Sequence, residues 1–451
     1  MSVDLETLAR ESVAWMRSQS PETQAELYLS RGEQRALSRR EGERECVEAS
    51  ETAGAGVRVV RGGRVGFAAA GGIDRLEIRS LYARATEQLP HAEADPRRVL
   101  PGPSRAGLDS DPEFAATLWD EALFTAPWME IEERLRRAEA AAQAQPRVAR
   151  IMHVEYAESR GSVVIAGTSG LFASERGGSA SVAVSVDAED GVEVQIGEGF
   201  RSSRRAAALD FTAAGREAGL RASSLLGARR MRGGKRPVLF EPWVAGEFLE
   251  LLSGLLSADE AQSGRSLLAG RLGKAVASPL VTLRDDPRRP GGLGSSRFDD
   301  EGLPTRDKAM IEAGVLREYF HDSFSAARAG LPSNGCAYRE SYAGLPGPGS
   351  SNFHLAPGAM SREALIADTK AGLLVIEVLG MHMVDPVSGA FSVGVSGLAI
   401  EKGRIAGPVK GAMISGNLLE LLARVDGVAS DLTFEGSLGA PTFRVSSLDI
   451  A

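Results

Sequence analysis

Residues Arg236 to Ser263 read RPVLFEPWVAGEFLELLSGLLSADEAQS, a short apolar strand running into an apolar helix. Pro237, Val238, Leu239 and Phe240 form the strand. Pro242 suits the first helical turn, where its missing N–H would have no intrahelical partner. Val244, Phe248, Leu251, Leu252 and Leu255 then recur at helical spacing, which predicts one broad buried face. A strand handing over to a buried helix is a common place for a metal ligand or a nucleophile. Here the helix start offers Glu241, Pro242, Trp243 and Gly246, of which only Glu241 ionises.

Working outward from this stretch, 451 residues are enough for two domains, each with its own core. The boundary is expected just before the central strand, giving domains of residues 1–232 and 233–451. The first half reads as an α/β domain. It is expected to open with a helix over residues 4–18, followed by strands at Ala25 to Leu29 and Arg35 to Glu48, with Gly54-Ala55-Gly56 turning the chain into VRVVRGGRVGFAAA. That last stretch is a hairpin around Gly62-Gly63. Helices are expected over Ile73 to Leu89, Glu121 to Gln143 and Ala206 to Leu226, with a surface loop from Pro90 to Pro112. Between Arg147 and Phe200 the period is two, which predicts an antiparallel meander of short strands divided by Gly, Ser and Asp. The second half is glycine-rich, with strands expected near Val276 to Leu283, Met310 to Tyr319, Leu373 to Leu379, Phe391 to Ile400, Val409 to Met413 and Thr442 to Ile450. Together these predict an α+β chain whose C-terminal domain is a partly closed, mainly antiparallel β-structure.

Composition narrows the partners. Hydrophobic residues at 43% and charged residues at 25% are ordinary globular values, and 52 Lys+Arg against 60 Asp+Glu leave a net charge of −8. That balance speaks against nucleic acid or an anionic membrane as the main partner. Arg229, Arg230, Arg232, Lys235 and Arg236 read as a solvated connection. The two cysteines, Cys46 and Cys336, provide no disulfide framework, which suits a reducing cytoplasm. The first twenty residues do not read as a signal peptide, and no apolar window has membrane-spanning length.

Candidate chemistry is sparse. The histidines are His91, His153, His321, His354 and His382, and no two fall within one helical turn. A metal site could still be assembled across loops from His321, His354 and His382. Ser396, in GVSGLAI, reads as a strand-end residue, not as a nucleophile on a tight turn. GGLGSS lacks the lysine of a phosphate loop. Asp299, Asp300 and Glu301 offer hard oxygen ligands, or else simply a solvated acidic turn.

The order of motifs in the C-terminal half resembles the TldD/PmbA (TldE) family of gyrase modulators and peptide-processing proteases. The matching pieces are FDDEGLPTR at Phe298 to Arg306, IEAGVLREYFHD at Ile311 to Asp322, SNF at Ser351 to Phe353, the block from Gly372 to Leu422, and DLTFEGSLGAPTFRV at Asp431 to Val445. GAGVRVVRGGRVGFAA at Gly54 to Ala69 matches more loosely. The resemblance implies dimers enclosing a proteolytic chamber. It also implies that TldD-type subunits carry a His-Glu-x-x-x-His helix and a later cysteine as the metal site. Laid on that motif, this chain has Glu241 at the first histidine, Pro242 at the glutamate and Gly246 at the second histidine, and no cysteine beyond Cys336.

The chain therefore resembles the metal-free TldE/PmbA subunit, with no metal of its own and zinc or a similar ion expected in a TldD-type partner. The implied partners are that subunit or a second copy, and peptide or unfolded protein as substrate. Two alternatives follow from the residues: a self-sufficient homodimeric peptidase working near His382 in GMHMVDP, and an adaptor with no protease link. The bland reading of His382 is a ring bonded to a neighbouring carbonyl.

Overall fold

The computed structural model describes residues 4–103, 111–385 and 387–451. The chain is α+β. Helix α1 (Leu5–Gln19) is capped by Asp4, whose carboxylate accepts the Glu6 and Thr7 N–H groups, and it buries Leu5, Leu8, Val13 and Met16. β1 (Gln24–Arg40) and β2 (Glu43–Arg61) then form one long antiparallel ladder. The chain reverses at Glu41-Gly42, both at positive φ, and not between Leu29 and Arg35 as the sequence suggested. Gly54 and Gly56 likewise make no turn; they lie inside β2. A Cβ on either would collide with Tyr342, so the glycines serve a close approach of the C-terminal half. The Gly62-Gly63 hairpin to β3 (Arg64–Gly71) is present as expected.

α2 (Arg75–Gln88) and α3 (Pro112–Leu118) follow, and α4 (Trp128–Gln143) starts seven residues later than expected, directly after Pro127. The part of the expected Pro90 to Pro112 loop at 104–110 lies outside the described residues. The period-two region is three long strands, β4 (Val148–Gly167), β5 (Phe172–Glu189) and β6 (Val194–Ser203), and not many short ones. Gly161, Gly177 and Gly178 sit in mid-strand rather than at turns. The six strands form one antiparallel sheet in the order β3-β2-β1-β4-β5-β6. α1 and α2 cover one end of it, and α4 with α5 (Phe211–Ser224) covers the other.

From β7 (Gly234–Phe240) onward the chain builds two further six-stranded sheets. In the larger, Arg404–Asn417 pairs with Ala390–Glu401 and also, through Ile414 and Ser415, with Phe443–Ile450, so the sheet closes on itself around β7 and Ala371–Leu379. β7 and Ala371–Leu379 run parallel, which the long excursion between them permits. Other strand expectations shift. Only Leu283–Asp285 is strand in the Val276 region, and Met310 to Tyr319 splits into Lys308–Glu312 and Val315–Leu316 around Ala313-Gly314.

Helix α6 (Pro242–Leu255) packs between this closed sheet and the smaller one, which is why it is apolar nearly all round. Phe240, Phe248, Phe391 and Phe443 make a chain of ring contacts with centroids 5.0 to 5.9 Å apart across the barrel core. No helix among the described residues is long and apolar enough to cross a membrane.

The acidic turn Asp299-Asp300-Glu301, expected to be solvated, is buried instead and ties the two halves together. Asp299 accepts N–H bonds from Glu301, Leu303 and Ala337. Asp300 accepts from Arg339 N and, at 3.4 Å, from the Tyr28 hydroxyl of β1. Glu301, 1% exposed, takes Arg58 of β2 on one oxygen at 3.0 Å and Ser323 N on the other at 2.7 Å. Arg58 and Arg339 both also hold Glu26 of β1. This turn could not stay in water because the first sheet lies directly over it.

Candidate functional site

The start of α6 is where the resemblance would place a metal site. Glu241 is the residue before the helix, extended and without a capping hydrogen bond, while Pro242 opens the first turn. Its carboxylate is 7% exposed. Arg221, reaching over from α5, places Nη1 at 2.8 Å from one oxygen, and Arg362 places Nη2 at 3.5 Å from the other. The Arg221 guanidinium also lies 5.1 Å from the Trp243 ring centroid and holds Glu217 one helical turn away. Burial pushes the Glu241 carboxyl up, and the two guanidiniums oppose that shift. The Arg221 contact is an ion pair without hydrogen-bond alignment, so that oxygen is buried and incompletely satisfied.

The third motif position is empty space. A Cβ built on Gly246 would meet no atom within 4 Å, so the helix offers room for a side chain there and supplies none. The next residue, the half-buried Glu247, is pushed up to about 7 by burial and by Glu250 and Glu377. Glu435, beside the same cluster, is likewise raised to about 7 by burial, with Arg221 opposing and Glu217 adding to the shift. The donor set does not fit a catalytic divalent ion. Such an ion needs three protein ligands held to an open position, and this locus presents one carboxylate already neutralised by two arginines, a proline and a glycine.

The other candidates are scattered. His321 is buried with Nδ1 3.3 Å from the Ser325 hydroxyl, His354 has Nδ1 3.2 Å from the Asn352 carbonyl and its ring against Phe434, and His382 is exposed in the single turn Met381–Met383. His91 ends a short turn after α2, and His153 lies 3.4 Å from Glu45. The three C-terminal histidines do not meet, and no group of three His, Cys, Asp or Glu among the described residues is arranged to hold a metal. Ser396 is in mid-strand opposite Glu377. GGLGSS is a loop whose carbonyls at Gly292, Leu293 and Ser295 are gripped by the buried Arg204, the opposite polarity to a phosphate cradle. Cys336 is buried, its thiol pushed up to about 12 by that burial.

Sequence reasoning did not foresee Arg221, Arg362 or Glu435 as neighbours of Glu241. Glu217 and Arg221 read as an ordinary i,i+4 helix pair, and only the fold brings α5 against the start of α6.

Comparison with known proteins agrees across the chain. Family models described as PmbA/TldA metallopeptidase domain 1, central domain and C-terminal domain match residues 25–89, 126–226 and 233–451. A metalloprotease of Methanothermobacter thermautotrophicus is 35% identical over 253 residues, 54% of this chain and 54% of that protein. A TldD homologue of Haemophilus influenzae is 34% identical over 203 residues, 42% of its length. The chain thus spans about half the length of these curated relatives. Metalloprotease PmbA of Escherichia coli O157:H7 is matched over 95% of this chain and 92% of its own, at 26% identity. Among solved structures, one from Thermotoga maritima covers 99% of the chain with a TM-score of 0.90 at 24% identity, and TldE from Thermococcus kodakarensis covers 98% with a TM-score of 0.84 at 22% identity.

Proposed function

Since the chain belongs to the PmbA/TldD metallopeptidase family, we propose that it is the metal-free member of a two-subunit peptidase, shaping the chamber and engaging peptide while a TldD-type partner holds the metal. The observation that carries this reading is the occupancy of the ligand positions: Glu241 locked between Arg221 and Arg362, Pro242 in the first turn, and Gly246 bare. A metal ligand must present a free lone pair, and a carboxylate paired with two guanidiniums presents little. Relatives named as metalloproteases support the reaction class, peptide hydrolysis.

The test is to purify the chain alone, saturate it with zinc and supply an unstructured peptide. No chelator-sensitive cleavage is expected until a metal-bearing TldD-type subunit is added. Robust cleavage by the chain alone would overturn the reading and return attention to His382, whose replacement by alanine would then have to abolish turnover.

A further inference from the structure

One stretch of the N-terminal sheet has a neighbour on one side only. β3 pairs with β2 no further than Gly71 opposite Gly54, and the last main-chain bond on that side runs from the Gly72 N–H to the Ala53 carbonyl at 3.0 Å. Over residues 43–52, β2 is paired to β1 alone, and among the described residues nothing bonds to the main chain on its other side. In an antiparallel strand alternate residues turn their N–H and C=O groups to the same side. Ala53 marks the outward set, so Val47, Ala49 and Glu51 also present theirs outward. All of residues 43–52 are exposed except the partly buried Cys46. The outer edge of β3 is finished differently: the Gln88 side chain meets the Phe67 N–H at 3.1 Å and its carbonyl at 2.8 Å, and Arg84 donates to the Ala69 carbonyl. The fold caps one edge and leaves its continuation on β2 open.

The open stretch is acidic. It carries Glu43, Glu45, Glu48 and Glu51 against a single cation, Arg44, and contains no proline. Arg44 is turned to Glu132 of α4, and Glu45 is held by Arg40 at 2.6 Å. Glu48 accepts the Cys46 thiol, and Glu43, Glu48 and Glu51 are in no ion pair among the described residues. The arginines of β1 behind them are committed elsewhere: Arg35 to Glu158, Arg39 to Glu132 and Glu139, and Arg40 to Glu45. Arg31, opposite Ala53 and diagonal to Glu51, is the one cation left beside three unpaired carboxylates. Edge-to-edge pairing with a second copy would bring two such rows together, and like charges across a strand pair are destabilising. A strand bearing Lys or Arg would gain where the copy loses.

We propose that the edge of β2 over residues 43–52 docks a Lys- or Arg-bearing strand of the partner subunit, a polypeptide different in sequence from this chain, which extends the N-terminal sheet past β2. The main-chain groups of Val47, Ala49 and Glu51 supply the pairing, and Glu43, Glu48 and Glu51 supply the choice against a second copy. No hydrogen bond or ion pair joins this stretch to the C-terminal half among the described residues, so a strand docked here joins subunits and does not present substrate to the α6 positions. The proposal rests on the two-subunit reading given above and names the surface through which the partner is chosen.

The first arm of the test is fluorescence anisotropy on the isolated chain, without metal or partner, so that it can fail while the two-subunit cleavage result stands, and the reverse. The probes are short labelled peptides: one alternating Lys with Val and Thr, one with Glu in place of Lys, and the Lys peptide with alternate backbone amides N-methylated. The Lys peptide is expected to bind and the other two are not. E43Q/E48Q/E51Q should weaken it by about tenfold, the scale of three cross-strand charge pairs. A49P should abolish binding with an unchanged melting transition, because the Ala49 N–H belongs to the outward set and takes no part in the ladder to β1. The second arm is sedimentation of the complex with a metal-bearing TldD-type subunit, where A49P should weaken assembly by at least tenfold and leave KM of the assembled complex unchanged. Equal binding of the Lys and Glu peptides, or undiminished binding by A49P, overturns the proposal. So does an assembly indifferent to A49P, a raised KM without a change in assembly, which would give the edge to substrate, or a homodimer of the isolated chain that A49P dissociates.

Discussion

Two clusters of carboxylates and arginines join the N-terminal sheet to the C-terminal half, and they are finished to different standards. Around Asp299, Asp300 and Glu301 each carboxylate accepts from backbone N–H groups, and a buried chain of ion pairs runs Glu301–Arg58–Glu26–Arg339, with Arg58 Nε as its one buried atom lacking a hydrogen bond among the described residues. Around Glu241 the same residue types stop short: one oxygen lacks a hydrogen bond, Gly246 leaves open space, and Glu247 and Glu435 are carboxyls at the edge of protonation near neutral pH. A buried polar network whose carboxylates are all bonded fixes structure, whereas one that leaves a buried carboxylate oxygen unbonded beside open space holds its parts less firmly. The first cluster is a clasp. The second, on the function proposed above, is the metal position without its ligands.

The largest effect should come from breaking the clasp. E301A removes the acceptor of Arg58 and of Ser323 N–H and leaves a buried guanidinium short of its charge partner, which costs about 3–5 kcal/mol when one member of a buried pair is lost. Denaturant unfolding followed by far-UV circular dichroism should show the midpoint fall accordingly; a shift below about 1 kcal/mol would equate this chain of pairs with a surface pair.

A smaller effect is expected at the start of α6. E241Q keeps the shape and removes the charge that Arg221 and Arg362 share, and its cost is expected at about 1–2 kcal/mol because the carboxylate is already imperfectly bonded. The sharper contrast is E301A against E241Q in one unfolding series, and the comparison fails if E241Q costs more.

Rebuilding the ligands tests the same difference from the other side. E241H/P242E/G246H places two imidazoles and a carboxylate at the start of α6, with space for the second imidazole already present at Gly246. Two histidines leave a third ligand unfilled, so calorimetry should find weak zinc uptake and a peptide assay little or no hydrolysis. Uptake no greater than the parent's would mean that the positions are not those of the motif.

The least of the effects is pH dependence. The folded-state values of Glu247 and Glu435 are about 7, raised from an ordinary 4.5, so the folded chain binds more protons than the unfolded chain between those values. Stability contributed by these groups is therefore greatest below pH 4.5 and declines as pH rises toward and past 7. Because both are partly exposed, the change is modest. E247Q should flatten the fall in melting temperature between pH 5 and pH 8, and an unchanged slope would remove Glu247 from the account.

How much of this could be read from residues alone follows the same division. The Arg236 to Ser263 stretch gave its strand, its Pro242 helix start and its buried face correctly because each rests on local chemistry. The N-terminal strands are longer than the glycines suggest, because Gly54, Gly56, Gly161 and Gly178 are not punctuation but mark close approach by Tyr342, the Arg31 carbonyl and Leu123. Asp299 to Glu301 read as solvated because three acids in a row usually are; the cations that bury them, Arg58 and Arg339, lie far away in the chain. The motif directs attention to Glu241, Pro242 and Gly246. The arginines against Glu241 were not legible, since nothing in LRASSLL around Arg221 announces a partner on another element.

The strand Phe443–Ile450 that seals the barrel lies about 200 residues after β7, its neighbour in the closed sheet. During synthesis β7 and α6 leave the ribosome long before that seam exists, with Phe240 and Phe248 still lacking the cover of Phe443. The C-terminal half therefore completes its core only when this strand is made, and a lesion in the strand is expected to surface as lost protein in the cell before it surfaces as lost activity.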